Sequence, residues 1–279
     1  RTKLESALPY SLLAPTLIFV TLLIVIPIFQ AFLLAFQALD GSFTLEYFQK
    51  MANDTSFGDS LRFTFLLLMF IVPAQAVLAL VMALLIHTRF KGHTIFLYIF
   101  AIPLGISDLA AGIAWLSIFN ERGYLNSILS QLGILETPFL FLSYQNLPAV
   151  FATIVVAESW RATAIVMTIL LAGLQVIPRD YFEAADVFGA NTLTRTLYVV
   201  LPLLRPSLQA ALIIRTIFAF QTFSVVLVLA GRVIPVLAGE SYNWYVANRN
   251  PNIAATYAVL VLIFTVAATW FYLKFLRAS

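Results

Sequence analysis

The sequence contains no cysteine, and charge is scarce: 16 lysines and arginines and 13 aspartates and glutamates in 279 residues. The missing cysteines exclude a disulfide framework and thiolate metal chemistry. Charged residues make up 10% of the chain, against about 25% in soluble proteins. Because so few charges cannot cover the 62% of residues that are hydrophobic, hydrocarbon must surround much of the chain. The composition predicts a multi-pass membrane protein.

Several functional patterns are also missing. No Gly-rich phosphate loop followed by Lys-Ser or Lys-Thr occurs, so we expect no nucleotide hydrolysis and no cofactor in this chain. His87 and His93 are six residues apart without a nearby carboxylate, which argues against a metal site and favours solvated loop residues. No serine, histidine and carboxylate are expected to lie at the same depth in the membrane, so the chain is predicted not to be an enzyme. Basic residues occur singly, which excludes nucleic acid as a partner despite the net charge of +3.

Six apolar segments reach the roughly 20 residues that a helix needs to cross a bilayer core. They are Ser11–Ala38, Phe63–His87, Thr94–Phe119, Ala149–Leu174, Leu208–Ala230 and Ile253–Leu273. The first follows Arg1 and Lys3 but is about twice as long as the apolar core of a signal peptide, so we expect it to remain as an anchor. Residues 1–279 are thus predicted to form a single transmembrane domain.

The distribution of lysine and arginine predicts how the spans are oriented, because cytoplasmic loops collect these residues. Six spans place both termini on one side. That side holds Arg1, Lys3, Arg89, Lys91, Arg179, Arg195, Arg205, Lys274 and Arg277. The other side holds Lys50, Arg62, Arg122, Arg232 and Arg249. Since the first set is larger, we expect both termini to be cytoplasmic.

The only long cytoplasmic loop, residues 175–206, carries helix signals. Pro178 suits a first helical position, and Gly189 can take the left-handed conformation that ends a helix, so a short helix is predicted over Arg179–Phe188. Asn191 or Thr192 can cap a second helix that runs to about Leu201. We expect the two prolines that follow, Pro202 and Pro206, to break the backbone before the fifth span.

The first helix of this loop is unusually apolar for an element on the water side. It carries Tyr181, Phe182, Val187 and Phe188, with Glu183 and Asp186 between them. Two interpretations are open at this point. The helix could lie on the membrane surface or under its own bundle, or it could dock into a groove of a cytoplasmic partner.

The spacing in this loop matches a known signature. Glu183-Ala184-Ala185, three residues, Gly189, nine residues, Val199, one residue and Leu201-Pro202 resembles the EAA motif of permease subunits of binding-protein-dependent ABC importers. Gly173–Pro178 and Ile102–Ser107 are similar to the carbohydrate-uptake branch of that family, the maltose, glycerol-3-phosphate and trehalose type.

The resemblance implies an all-α sugar permease of the cell (plasma or inner) membrane that works by alternating access. Its expected partners are a second permease subunit, two nucleotide-binding ATPase subunits that hold ATP and Mg, an extracytoplasmic solute-binding protein, membrane lipid and a small carbohydrate. The short helix would then couple to an ATPase subunit. The coupling residues would be Tyr181, Phe182, Glu183, Ala184, Ala185, Phe188 and Gly189.

Charged residues inside the spans are the other functional candidates, because each costs several kcal/mol at mid-bilayer unless it meets a partner or water. They are Asp108, Glu158, Arg161 and Arg215. Glu158 and Arg161 are three residues apart and can pair on one helix, whereas Arg215 needs Asp108 or Glu158 from another span. Paired charges that only stabilise the bundle are one interpretation, and a substrate pathway is the other.

Two helical stripes favour the pathway. One stripe consists of Arg215, Ala219 and Thr222, and the other consists of Asp108, Gly112 and Trp115, in both cases at positions i, i+4 and i+7 of a helix. Such a mixture of small, polar and aromatic groups suits a sugar. In the family that the sequence resembles, the substrate passes between the helices that flank the signature loop, so the resemblance assigns Glu158, Arg161, Arg215 and Thr222 to the pathway, and we add Asp108 and Gln221. Two alternatives stay open: an ion-coupled secondary transporter and a non-transporting membrane scaffold or enzyme.

The last extracytoplasmic loop contains Tyr242, Trp244 and Tyr245. These rings either form an interfacial aromatic belt, which we favour, or touch a solute receptor.

Overall fold

The computed structural model describes residues 3–38 and 40–275, so Arg1 and Arg277 of the charge count lie outside the described residues. Across these ranges the chain forms helices and contains no β-strand. The helices are α1 (Lys3–Val20), α2 (Ile26–Leu34), α3 (Glu46–Ala52), α4 (Phe57–His87), α5 (His93–Ala101), α6 (Asp108–Phe119), α7 (Tyr124–Gln131), α8 (Leu147–Val176), α9 (Arg179–Val187), α10 (Thr192–Arg195), α11 (Leu201–Phe220), α12 (Ser224–Ala230), α13 (Leu237–Val246) and α14 (Pro251–Phe275).

Among the described residues, five helical stretches are long and apolar enough to cross a membrane, and a bent pair of helices makes a sixth when it is counted as one span. The five are Leu12–Leu34, Phe57–His87, Leu147–Val176, Thr192–Phe220 and Pro251–Phe275. These stretches confirm an all-α, multi-pass membrane protein with about six spans. Four of the predicted spans are continuous helices, and the third and fifth differ from the prediction.

The third span is broken. His93–Gly105 and Asp108–Gln131 meet at 105°, so the prediction of one continuous span over Thr94–Phe119 is wrong. After α5 the chain forms a 3₁₀ turn over Ile102–Gly105, where Pro103 lacks the N–H that a continuing α-helix requires. Ser107 then takes an extended backbone and caps α6, since its hydroxyl accepts a hydrogen bond from the N–H of Ala110 at 3.3 Å.

The fifth span begins earlier and is also interrupted, so the prediction of Leu208–Ala230 is wrong at its start. The side chain of Asn191 caps α10 by accepting from the N–H of Thr194 at 2.8 Å. A π-turn over Thr196–Val200 then joins α10 to α11 without a break. Pro202 lies in the first turn of α11 and Pro206 lies inside the helix without ending it, so the expected proline break before the fifth span does not occur. The helix ends instead at Phe220, and α12 starts after three residues.

The chain divides into two compact units. The first comprises Arg1–Phe57 and Glu240–Leu260. Its small core consists of Ala35, Ala255 and Val259, packed by Phe36 and Phe48. In the same unit the carboxylate of Asp54 accepts hydrogen bonds from the indole of Trp244 at 2.8 Å and from the hydroxyl of Tyr257 at 3.0 Å. Trp244 is therefore engaged inside the protein, whereas Tyr242 and Tyr245 are exposed.

The second unit comprises Gly58–Gly239 and Val261–Ser279, and its described residues form two larger apolar cores. Its helices approach closely at two glycines. Gly112 on α6 lies against α12, where an added Cβ would stand 3.1 Å from the Cβ of Val228. Gly173 on α8 faces α11, where an added Cβ would stand 2.6 Å from the Cβ of Ser207 and 2.8 Å from Leu204.

We expect Gly173→Ala to destabilise the protein, because a methyl group cannot fit between α8 and α11 unless the two helices move apart. Overpacking of this kind typically costs about 1–3 kcal/mol. Thermal unfolding of the purified chain in detergent measures the effect. Gly58→Ala is the matched control, since nothing lies within 4 Å of its added Cβ, and it should leave the midpoint unchanged or raise it. Equal midpoints for both variants would contradict the close approach.

Candidate functional site

A buried ion pair joins two spans of the second unit. Nη2 of Arg215 on α11 lies 3.0 Å from Oε2 of Glu158 on α8. Each residue is only 1% exposed. Nη2 of Arg161, one turn along α8, lies 3.1 Å from the same oxygen. Asp108 and Glu158 are the two candidate partners of Arg215 in the sequence, and Glu158 makes the contact. The same carboxylate therefore forms ion pairs with two arginines.

Asp108 adds the fourth charge. Its Oδ1 lies 2.8 Å from Nη1 of Arg161, and its side chain is 48% exposed while that of Arg161 is 14% exposed. Asp108 is the first residue of α6, directly after the break in the third span, so its carboxylate also lies at the positive end of that helix. The bend thus brings a carboxylate from the third span onto the guanidinium group of the fourth.

Gln75 is a fifth member that the sequence analysis missed. Its Oε1 accepts a hydrogen bond from Nε of Arg215, and its Nε2 donates to the backbone carbonyl of Glu158 at 2.7 Å. The side chain is fully buried in α4. A single amide in the middle of an apolar span was the available signal, because such groups usually bond a neighbouring helix. Gln75 ties α4 to α8 and α11.

These five side chains form the charge network, defined as Gln75, Asp108, Glu158, Arg161 and Arg215. Two acids and two bases give it no net formal charge. Removing charges from water costs several kcal/mol for each ion, which only close pairing offsets. Two donors, Nε of Arg161 and Nη1 of Arg215, have no hydrogen-bond partner among the described residues.

The remaining predicted pathway residues lie apart from the helical stripe. α11 ends at Phe220, so Gln221 and Thr222 follow the helix instead of continuing the stripe of Arg215. Gln221 is exposed, and Thr222 is buried with a hydroxyl that has no partner among the described residues. In the other stripe, Gly112 packs against α12, so this glycine serves helix contact rather than a lining.

Aromatic residues lie on the same helices as the network, Trp115 on α6 and Trp160 on α8. The indoles of Trp115 and Trp160 contact edge to face, with ring centroids 5.9 Å apart. Trp160 also lines a cavity of about 590 Å³ between α4, α5 and α8, where Ser159 and Thr163 are the other polar lining residues. None of the four network charges lines this cavity, so it is separate from the charge network.

The short helix predicted over Arg179–Phe188 is α9, Arg179–Val187, with Phe188 as its cap. Pro178 precedes the first turn instead of occupying it. Gly189 has a φ of +75°, in the left-handed region that favours glycine. Its N–H donates to the carbonyl of Asp186 at 3.0 Å, and the N–H of Ala190 donates to Ala185 at 3.0 Å.

One face of α9 packs on other helices of the second unit, and the opposite face is exposed. Ala185 is buried, and the ring of Phe182 lies 5.3 Å from that of His87, so the expectation that His87 is a solvated loop residue is wrong. Asp186 pairs with Arg195 of α10 at 2.7 Å. The open face carries apolar side chains next to charge. Tyr181, Glu183, Ala184, Val187 and Phe188 are exposed there, Phe188 to 90%.

The comparison with known proteins identifies the family. The chain is 31% identical over 277 residues to the trehalose/maltose transport system permease protein MalF of Thermococcus litoralis, covering 94% of this chain and 92% of that protein. The chain belongs to the permease subunits of ABC importers. This permease is also 30% identical over 281 residues to the sulfoquinovosyl glycerol transport system permease protein SmoG of Agrobacterium fabrum, covering 96% of the chain and 90% of that protein.

A solved structure supports the fold of the permease. A chain of the bacterial alginate ABC transporter, crystallised in complex with an alginate pentasaccharide-bound periplasmic protein, superposes with a TM-score of 0.82 at 19% identity. The match covers 98% of this permease and 95% of that chain. No protein-family profile matches the sequence. These relatives do not support the alternatives of a secondary transporter or a membrane scaffold.

Proposed function

We propose that this permease moves a sugar or sugar-like solute into the cell by alternating access, driven by separate ATPase subunits. The similarity to permeases named for trehalose, maltose and sulfoquinovosyl glycerol over nearly the whole chain carries the proposal. The working complex contains a second permease subunit, two nucleotide-binding ATPase subunits and an extracytoplasmic solute-binding protein. Both termini lie in the cytoplasm, on the side of α9.

We propose further that α9 couples the permease to an ATPase subunit. An apolar face on a short water-side helix is the usual form of a helix that docks in a groove, and Val187 and Phe188 supply that face. Glu183 is exposed and makes no ion pair among the described residues, which leaves it free to meet a basic group of the ATPase. Phe182 and Ala185 hold the opposite face on the bundle, so force on α9 reaches the spans.

The substrate pathway runs along the charge network in this proposal. Asp108 and Arg161 form its accessible end, while Glu158 and Arg215 lie behind them without access to solvent. Thr222 and Gln221 contribute from the break after α11. Alternating access is a change between two conformations for which the solute and ATP have different affinities. The breaks in the third and fifth spans provide places where the two halves of a span can reorient.

Copurification and uptake test the proposal together. A tagged permease, extracted from its native membrane, should bring down a nucleotide-hydrolysing subunit. In proteoliposomes the complex should take up maltose or a related saccharide when ATP is supplied and the proton gradient is collapsed with an ionophore. Uptake that stops with the ionophore would indicate a secondary transporter, and a permease that purifies without an ATPase would overturn the proposed coupling.

A further inference from the structure

The solute's charge is a separate question, because trehalose and maltose carry no charge while the sulfoquinovosyl group carries a sulfonate. We propose that Asp108 is a specificity-determining residue that makes this permease select uncharged saccharides over anionic ones, by cancelling the charge of Arg161 at the accessible end of the network. The inference rests on the proposed function.

All four charges of the network are matched within this chain. Arg161 contacts Asp108 at 2.8 Å and Glu158 at 3.1 Å, and Arg215 contacts Glu158 at 3.0 Å. Gln75, which fixes Arg215 from the side of α4, is neutral. An anionic solute needs an unmatched positive group, since its own desolvation in a low-dielectric site must be offset by an opposite charge. The network offers none.

The exposed fractions show which charge a solute meets. Glu158 and Arg215 are each 1% exposed, whereas the Asp108 side chain is 48% exposed and that of Arg161 is 14% exposed. The carboxylate of Asp108 therefore stands on the open side of the Arg161 guanidinium group. A negative solute would approach this carboxylate first, and the negative charge of Asp108 would repel it.

An uncharged sugar can use the same pair without breaking it. Its hydroxyl groups donate to the second oxygen of Asp108 and accept from a guanidinium N–H. The indoles of Trp115 and Trp160 contact edge to face, and Trp160 directly precedes Arg161 in the sequence. Apolar ring faces of sugars pack on such surfaces. An anionic sugar reaches Arg161 only by displacing Asp108, which leaves a carboxylate unpaired.

The test compares an uncharged and an anionic saccharide of the same size on the purified importer complex. Maltose and cellobiose, and the aldonic acids made from each, are titrated while the tryptophan fluorescence is followed, with ATPase stimulation as a second readout. We expect the wild type to need at least a tenfold higher concentration of the acid than of the sugar. Asp108→Asn should lower this ratio about tenfold by uncovering Arg161, and Asp108→Glu should preserve it.

Two variants separate charge from fold. Asp108→Asn combined with Arg161→Gln restores the balance and should restore the preference for the uncharged sugar. Asp59→Asn removes an exposed acid of α4 and should change nothing. A wild type that prefers the acids, or a ratio unmoved in Asp108→Asn, overturns the inference and leaves the proposed function standing. If no saccharide changes the fluorescence or the ATPase rate, the proposed solute class is wrong and the inference falls with it.

Discussion

Glu158→Met should destabilise this permease by about 3–5 kcal/mol, the range found when one partner of a buried ion pair is removed. The change leaves Arg215 buried at 1% exposure with no acid in contact. Gln75 alone cannot compensate, because an amide oxygen offers the guanidinium group a hydrogen bond but no charge. Thermal unfolding in detergent and the yield of monodisperse protein measure the loss.

The double variant Glu158→Met, Arg215→Met should recover most of that stability, since well-packed apolar residues replace a buried pair at little cost. Arg161 keeps Asp108 as its partner in that variant. Asp186→Asn is the control, because its pair with Arg195 is exposed and such pairs contribute about 0–1 kcal/mol. If the double variant is no more stable than Glu158→Met, the two side chains are not coupled as a buried pair.

Stability regained without transport would be informative in itself. It would show that the network is needed for movement of solute and not only for folding, which are the two interpretations that the sequence leaves open. Full uptake by the double variant would instead assign Glu158 and Arg215 to stabilisation alone.

The spans were predictable because apolar length is a direct physical requirement of the bilayer. The same reasoning could not place the breaks. Pro103 interrupts the third span, whereas Pro202 lies in the first turn of α11 and Pro206 lies inside it, and neither interrupts the helix. Whether a helix tolerates a proline depends on its neighbours and on how the preceding turn is wound, and neither is visible in composition or periodicity.

In the charge network the sequence could supply the charged members but not their geometry. Glu158 and Arg161 are neighbours on one helix, so spacing alone predicts their contact. The contacts of Arg215 and Asp108 require knowledge of which spans meet, and the second depends on the unforeseen bend before α6. Gln75 was missed because an amide carries no charge to mark it as costly, although it makes two of the hydrogen bonds that hold the network.

Phe188→Asp should reduce ATP-driven uptake at least tenfold and release the ATPase subunit during purification, while the permease still inserts and folds. Phe188 is 90% exposed after the last turn of α9, so the free chain loses no packing. A central aromatic side chain of a docking surface typically contributes about 2–4 kcal/mol to binding, and about 1.4 kcal/mol corresponds to tenfold in affinity. Copurification of the ATPase and uptake into proteoliposomes measure the effect.

Phe43→Asp is the matched control, because Phe43 is also an exposed phenylalanine, at 75%, and lies outside α9. It should leave the ATPase bound. The rival interpretation, in which α9 lies on the membrane surface, predicts a different result for Phe188→Asp. The permease would be less stable in a bilayer, the ATPase would stay attached, and uptake would fall only as far as the amount of folded permease falls. A normal yield of the complex together with normal uptake would rule out docking through Phe188, because a charged side chain cannot occupy a desolvated apolar groove without a large loss of affinity.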